Sequence, residues 1–292
     1  MDALNIVKYI FLSLRPKQWP KNLLIFAALV FSKNLRNGFY DTETILGFII
    51  FCIISGSIYI INDLVDKNKD KLNPKKAKRP IASGKLPVRY AIPAFLFFSI
   101  SGIVAAFKLG SNFGLVVIIY FAIQILYTFV LKNIVILDIF VIAIGFVLRV
   151  VAGAAIIAVS ISNWLLVCTL FLSLFLALGK RRFELIKLDK ATGHRTALKE
   201  YNVQLLDQMI TVVTSASIVA YSIYTLSPET IDKFKTKNLM YTIPFVLYGI
   251  FRYLYLIYQK EIGGAPEEIL ISDIPLIINI LLYGFTVWLI IY

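Results

Sequence analysis

Long apolar runs recur along this 292-residue chain, and they constrain its fold more than any other feature. An apolar run of about 20 residues can cross a bilayer as a helix, whereas the strands of an outer-membrane barrel are shorter and alternate in polarity. The sequence therefore predicts an all-α, polytopic membrane protein. The expected spans are nine, at about residues 19–32, 44–62, 88–107, 113–131, 135–158, 164–179, 206–226, 239–259 and 274–292.

The composition excludes a soluble or disordered protein. Hydrophobic residues make up 59% of the chain and charged residues 16%, whereas soluble domains carry about 45–50% and about 25%. The net charge of +13 is expected to reflect basic segments beside anionic lipid, so we expect a bilayer partner and no nucleic acid. The run from Ile6 to Leu14 predicts a short amphipathic helix at the membrane surface.

The distribution of lysine and arginine predicts the orientation of the chain. With the N-terminus inside, the inner segments hold 22 of these residues and the outer segments six. Cytoplasmic segments of membrane proteins carry such an excess of basic residues. We therefore predict a multi-pass protein of the cell membrane with a cytoplasmic N-terminus and an external C-terminus.

The two longest polar stretches are residues 62–87 and 179–205, and both are cytoplasmic in this orientation. Each is shorter than the roughly 50 residues that an independent domain needs. Residues 1–292 are therefore expected to form one transmembrane domain. The two stretches would cap it at the inner face, where we expect the chemistry.

The most informative stretch is Asn62-Asp63-Leu64-Val65-Asp66-Lys67-Asn68-Lys69-Asp70, which follows directly on an apolar run. In a continuing helix, Asp63, Asp66 and Asp70 would share one face. Carboxylates about 6 Å apart repel by about 3 kcal/mol at an effective dielectric of about 20, so this face needs cations. Oxygen ligands without histidine or cysteine suit Mg²⁺, which often also binds substrate phosphates.

Basic residues surround this motif in the sequence. Lys78 and Arg79 lie in a proline-bounded loop beside the carboxylates, where they could complement phosphate oxygens. Lys17 and Lys21 open the first predicted span. The second polar stretch is rich in lysine and arginine and predicts an anion-binding loop.

Each of these segments also has a simpler interpretation. The acids could form a solvated helix end that pairs with Lys67, Lys69 and Lys71. The basic segments could be positive-inside loops and interfacial anchors. Within the fifth span, Asp138 and Arg149 are expected to face a cavity or to pair with a neighbouring helix, because charges inside a membrane are costly.

The acidic motif, followed by Lys78-Arg79-Pro80 and later by Tyr127 and Lys132, resembles the UbiA superfamily of intramembrane prenyltransferases. This resemblance implies nine transmembrane helices around a central cavity that opens to the cytoplasmic side. Most of the superfamily carries a second Asp-x-x-x-Asp motif after the sixth helix.

This chain has Lys180-Arg181-Arg182-Phe183-Glu184 in place of that second motif, followed by Arg195-x-x-Leu198-x-x-Tyr201-Asn202. These segments, together with Arg15-Pro16-x-Gln18-Trp19-x-Lys21-Asn22, resemble the decaprenyl-phosphate phosphoribosyltransferase branch. That resemblance implies Mg²⁺-dependent transfer of 5-phosphoribose from 5-phosphoribosyl 1-diphosphate to a polyprenyl phosphate, with release of diphosphate.

The resemblance also implies a set of site residues. Asp63, Asp66 and Asp70 would be catalytic and would hold Mg²⁺. The substrate-binding residues would be Lys17, Lys21, Asn62, Lys78, Arg79, Tyr127, Lys132, Lys180, Arg181, Glu184, Arg195, Lys199 and Tyr201. Two other functions remain open, namely prenylation of an aromatic acceptor by a UbiA-type enzyme and transport or flipping of a lipid. A homo-oligomer is compatible with the sequence.

Overall fold

The computed structural model describes residues 3–32, 38–74, 76–188, 196–260, 269 and 272–292. Helices and turns account for these ranges, in which no strand occurs. In chain order the α-helices are α1 (Ala3–Ser13), α2 (Phe26–Phe31), α3 (Gly38–Val65), α4 (Lys67–Lys71), α5 (Val88–Leu109), α6 (Ser111–Phe129), α7 (Leu137–Ile156), α8 (Asn163–Leu188), α9 (Val203–Leu226), α10 (Pro228–Phe234), α11 (Ile243–Tyr258) and α12 (Ile274–Ile291). The predicted all-α class is confirmed.

Eight helical segments in these ranges are long and apolar enough to span a membrane. They are formed by α3, α5, α6, α7, α8, α9, α12, and α11 with the 3₁₀ helix Asn238–Thr242 that precedes it. The first predicted span is instead a 3₁₀ helix, Pro16–Ile25, followed by the six residues of α2. Pro16 and Pro20 lack the N–H that an α-helix needs at interior positions. The count of nine spans stays a prediction.

The sixth predicted span, 164–179, is short for a transmembrane helix and could extend downstream, and the structure shows this extension. α8 continues to Leu188, so residues 180–184 belong to a helix and not to a loop. Lysine, arginine and glutamate have good helix propensity, which lets the helix extend past its apolar part. The second polar stretch therefore overlaps the end of α8.

The chain divides into two compact units. The first contains Met1–Val141, Leu148–Ser160 and Ala191–Ala197, and the second contains Ile142–Val147, Ile161–Lys190 and Leu198–Tyr292. The single transmembrane domain stays a prediction.

In the first unit, α3 packs against α5, α6 and the 3₁₀ helix Pro16–Ile25. The corner before this 3₁₀ helix approaches α3 closely at Gly56. A Cβ atom at that glycine would lie 2.9 Å from Cδ2 and 3.1 Å from the carbonyl oxygen of Leu14. The predicted N-terminal helix is confirmed as α1, with Leu4, Val7 and Phe11 exposed. Its position at the membrane surface stays a prediction.

In the second unit, α8 packs along α9, and α11 packs against α12. Buried hydroxyl groups join three of its segments. The Tyr221 hydroxyl lies 2.6 Å from Oγ1 of Thr242 and donates a 3.1 Å hydrogen bond to the Tyr283 hydroxyl.

Candidate active site

The acidic motif lies where α3 ends and α4 begins. Asp66 separates the two helices, with φ −89° and ψ 5°. The helical hydrogen bonds continue across it, because the Asp66 N–H donates to the Asn62 carbonyl at 2.9 Å and the Asp70 N–H donates to the Asp66 carbonyl at 2.8 Å. The break therefore changes the local geometry without reversing the chain.

Asp63 and Asp70 meet at one guanidinium group. Nη1 of Arg79 donates to Oδ1 of Asp63 at 3.0 Å and to Oδ2 of Asp70 at 2.5 Å. Arg15 donates a second hydrogen bond to the same oxygen of Asp63. Asp63 and Asp70 are only 1% and 3% exposed. Buried carboxylates need such cations, because an uncompensated buried charge is costly.

Asp66 takes its cation from a different segment. Nζ of Lys132 lies 2.7 Å from Oδ1 of Asp66 and 3.4 Å from Oδ1 of Asn62. Lys132 is 3% exposed. The structure thus brings Lys132 to Asn62 and Asp66 of the acidic motif, although Lys132 follows Asp66 by 66 residues in the sequence. In the described ranges the three aspartates contact Arg15, Arg79 and Lys132, in contrast to the pairing with Lys67, Lys69 and Lys71 that the sequence left open.

The loop that carries Arg79 is fixed by its own packing. Ile81 and Leu86 are fully buried and pack in a core with Leu14 and Ile60. The Leu86 N–H donates to the Pro80 carbonyl at 2.8 Å and closes the loop. The predicted proline-bounded loop is confirmed. It holds Arg79 at the carboxylates.

Other predicted residues lie near this loop in sequence or on the adjoining helices. Lys78 is exposed on the short 3₁₀ turn Lys76–Lys78. Lys132 lies on the 3₁₀ turn Leu131–Asn133, which directly follows α6. Tyr127 is half-buried near the end of α6. The end of α6 therefore positions Lys132 for its contact with the acidic motif.

Arg15 is a contact residue that the predicted site does not include. It stands at the corner between α1 and the 3₁₀ helix Pro16–Ile25, with φ 53° and ψ 65°. Lys17 is exposed and Lys21 half-buried on that 3₁₀ helix. Arg15 is part of the opening motif, but linear spacing does not reveal a left-handed corner that turns its side chain toward Asp63.

A second polar cluster of the first unit surrounds Arg149. Its Nε donates to Oδ1 of Asn22 at 2.8 Å, and its Nη2 donates to the Tyr120 hydroxyl at 2.9 Å. Nδ2 of Asn22 in turn donates to Oγ of Ser55 at 3.1 Å. Of the two alternatives expected for Arg149, the contact with Tyr120 on α6 shows pairing with a neighbouring helix, and a cavity-facing role stays a prediction. The cluster joins α3, α6 and α7 to the opening 3₁₀ helix.

In the second unit, three of the predicted residues lie on α8. Nη1 of buried Arg181 donates to Oε2 of Glu184 at 2.6 Å, and Lys180 is half-buried. Tyr201 is buried just before α9. Arg195 lies outside the described residues, as does the side chain of Lys199.

Arg182 belongs to a further cluster that the sequence did not predict. Its Nε donates to Oδ1 of Asp207 at 2.6 Å, and the Tyr258 hydroxyl donates to the same oxygen at 2.9 Å. The guanidinium lies 4.1 Å from the centroid of the Tyr258 ring. The cluster therefore ties α8 to α9 and α11 within this unit.

The acidic motif has the chemistry of a magnesium site but is not a cluster of three carboxylates. Among the described residues, no group of three or more His, Cys, Asp or Glu side chains is arranged to hold a metal ion. Asp63 and Asp70 nevertheless both contact Nη1 of Arg79, so their two carboxylates lie around one point. Mg²⁺ is usually bound by one or two carboxylates together with substrate phosphates, so this pair fits. Asp66 as a further ligand stays a prediction.

Comparison with known proteins identifies a matching family and similar enzymes. Residues 23–267 match the model of the UbiA prenyltransferase family. The chain is 33% identical to decaprenyl-phosphate phosphoribosyltransferase of Mycolicibacterium smegmatis, over 92% of this chain and 88% of that one. It is 31% identical to the enzyme of the same name from Corynebacterium glutamicum, over 99% of this chain and 88% of the relative.

A solved structure shares the fold. A UbiA homolog from Archaeoglobus fulgidus, bound to GPP and Mg²⁺, superimposes with a TM-score of 0.71 at 18% identity and covers 97% of this chain and 96% of its own. The match of the family model to most of the chain agrees with this likeness. The chain therefore belongs to the UbiA prenyltransferase family.

Proposed function

We propose that this chain transfers 5-phosphoribose from 5-phosphoribosyl 1-diphosphate to a polyprenyl phosphate and releases diphosphate. The observation that carries the proposal is a centre in which three aspartates are paired with Arg15, Arg79 and Lys132. Relatives that cover nearly the whole chain are named decaprenyl-phosphate phosphoribosyltransferases, which supports this substrate pair.

Asp63 and Asp70 are proposed to hold a divalent ion, with Asp66 nearby in the same motif. A bound Mg²⁺ would supply positive charge to the diphosphate as it leaves. The two buried aspartates would determine where this ion binds. Arg79, which contacts both carboxylates, positions them relative to each other.

Arg79 and Lys132 are proposed to bind phosphate oxygens of the substrates. Both are held beside carboxylates, so a phosphate group next to the acidic motif would lie within reach of each of them. Charge-assisted hydrogen bonds from arginine to phosphate are short and strong. Because Lys132 is almost fully buried, its attraction to an anion is screened less than at a surface.

The attacking group needs little help from the protein. The phosphate of the lipid is already an anion, so the reaction requires no strong general base. The remaining predicted residues would bind substrate anions and hydroxyl groups. They are Lys17, Lys21, Asn62, Lys78, Tyr127, Lys180, Arg181, Glu184, Arg195, Lys199 and Tyr201. The reaction would occur at the inner face of the membrane.

A transfer assay tests the proposal. Purified protein, Mg²⁺, radiolabelled 5-phosphoribosyl 1-diphosphate and polyprenyl phosphate should give a labelled lipid. Asp63→Asn should lower the rate by about 10²-fold or more, the loss typical for removal of a group that stabilises developing charge. The matched control is Asp232→Asn, which changes an exposed aspartate on α10 and should retain the wild-type rate.

Three outcomes would contradict parts of this proposal. Diphosphate release and a labelled lipid that are both unaffected by Asp63→Asn would remove the acidic motif from the reaction. Transfer of a prenyl group to an aromatic acceptor, without a phosphoribosyl lipid, would favour an ordinary UbiA-type prenyltransferase. Lipid movement across vesicles without any diphosphate release would instead favour a transporter.

A further inference from the structure

Arg15 is held in place by its backbone, while only its side chain reaches the acidic motif. Its left-handed conformation is uncommon for a residue other than glycine and persists where surrounding contacts enforce it. The Arg15 N–H donates to the Leu12 carbonyl at 3.2 Å, and the Gln18 N–H donates to the Arg15 carbonyl at 2.8 Å. The corner is therefore fixed at both sides, and the guanidinium can move without it.

Two guanidinium groups contact the same oxygen of Asp63. Arg15 and Arg79 both donate to Oδ1 of this almost fully buried carboxylate. A divalent ion on the Asp63 carboxylate would lie a few ångströms from both arginines and would be repelled by them. The ion and at least one of the guanidinium groups must therefore compete for Asp63.

The contacts indicate which arginine yields. Arg79 is held by Asp63 and also by Asp70, at 2.5 Å. Arg15 contacts Asp63, and its guanidinium lies over the Tyr59 ring, 4.7 Å from the centroid. The side chains of Arg15 and Arg79 are similarly exposed, at 22% and 24%, so the number of carboxylates that each guanidinium contacts distinguishes them.

We infer that Arg15 is a ligand-binding residue that exchanges partners at the acidic motif. It neutralises Asp63 until a divalent ion binds there, and it then binds the anionic ligand of that ion. This inference rests on the proposed function, which supplies a diphosphate as that ligand. Arg15 precedes residues 23–267, the part matched by the family model.

The exchange predicts two effects that a purely structural role for Arg15 would not produce. Removing its charge should tighten binding of the ion alone, because a competitor for Asp63 is lost. The same change should weaken the additional binding that diphosphate confers, because a cation for its oxygens is also lost. The two effects have opposite signs.

The experiment measures Mn²⁺ binding to the full-length protein in detergent, by electron paramagnetic resonance of the free ion. It compares wild type and Arg15→Gln, each with and without inorganic diphosphate. We expect Arg15→Gln to bind Mn²⁺ alone about tenfold more tightly than wild type, from the loss of a nearby like charge. We expect the gain in Mn²⁺ affinity on adding diphosphate to be smaller in the variant.

Two further variants control the experiment. Arg15→Met keeps the aliphatic stem beside Tyr59 and should reproduce both effects, which preserves the test if glutamine impairs folding. Arg89→Gln removes an exposed arginine in the first turn of α5 and should bind like wild type.

Equal or weaker binding of Mn²⁺ alone by the neutral Arg15 variants would overturn the inference while leaving the proposed function intact. Absence of Mn²⁺ binding by the wild type, even with diphosphate, would overturn the inference together with the metal step of the proposed function.

Discussion

Replacing Lys132 by methionine tests the pairing that fixes Asp66. Methionine keeps the length of the side chain but leaves Asp66 without the ammonium group that lies 2.7 Å from its Oδ1. Removing one partner of a buried ion pair typically costs about 3–5 kcal/mol of unfolding free energy. The Lys132 side chain is 3% exposed and that of Asp66 is 14% exposed, so some water reaches the carboxylate. We therefore expect a loss at the lower end, about 3 kcal/mol.

The assay is denaturant unfolding in detergent micelles, followed by circular dichroism. The double variant Lys132→Met with Asp66→Asn removes both charges and should recover most of the lost stability. The control, Lys108→Met, changes an exposed lysine and should alter the free energy by less than about 0.5 kcal/mol. A loss below about 1 kcal/mol for Lys132→Met, or additive losses in the double variant, would refute the buried pair.

Two other predictions concern the second unit and the topology. The hydrogen bond from Arg252 lowers the pKa of Asp273 below its ordinary value, and the hydrogen bond from the Leu276 N–H lowers it further. Together they outweigh the burial of the carboxyl group, which raises the pKa. Wild type should therefore have a higher free energy of unfolding than Asp273→Asn above about pH 4, and this difference should disappear as the pH falls through the folded-state pKa. A difference that persists below that pKa would contradict the prediction. Cysteines introduced at Lys76 and Lys235 should label from the inside and the outside respectively, and the reverse pattern would overturn the orientation.

Much of the fold was predictable because its signals are local. The all-α class follows from runs of apolar residues, and the proline-bounded loop before α5 follows from its prolines. The association of Asp63 and Asp70 follows from helical spacing, which survives the break at Asp66. Each of these features is encoded within one continuous segment of the sequence.

The partners of the acidic residues were not predictable in the same way. Lys132 is 66 residues from Asp66, and Arg15 is 48 residues from Asp63. Such pairs depend on how α6 and the N-terminal corner pack against α3, which no periodicity in the sequence encodes. The end of α8 at Leu188 was not predictable either, because charged residues after an apolar run indicate a membrane boundary but not the end of a helix.

The central claim is tested most directly by following both halves of the donor in one reaction. The donor would be 5-phosphoribosyl 1-diphosphate labelled with ¹⁴C in the ribose and ³²P in the diphosphate, incubated with polyprenyl phosphate, Mg²⁺ and purified protein. The proposed reaction predicts ¹⁴C in the lipid and ³²P in free diphosphate in equal amounts. A lipid without ¹⁴C, together with transfer of a prenyl group from geranyl diphosphate to an aromatic acid, would contradict it.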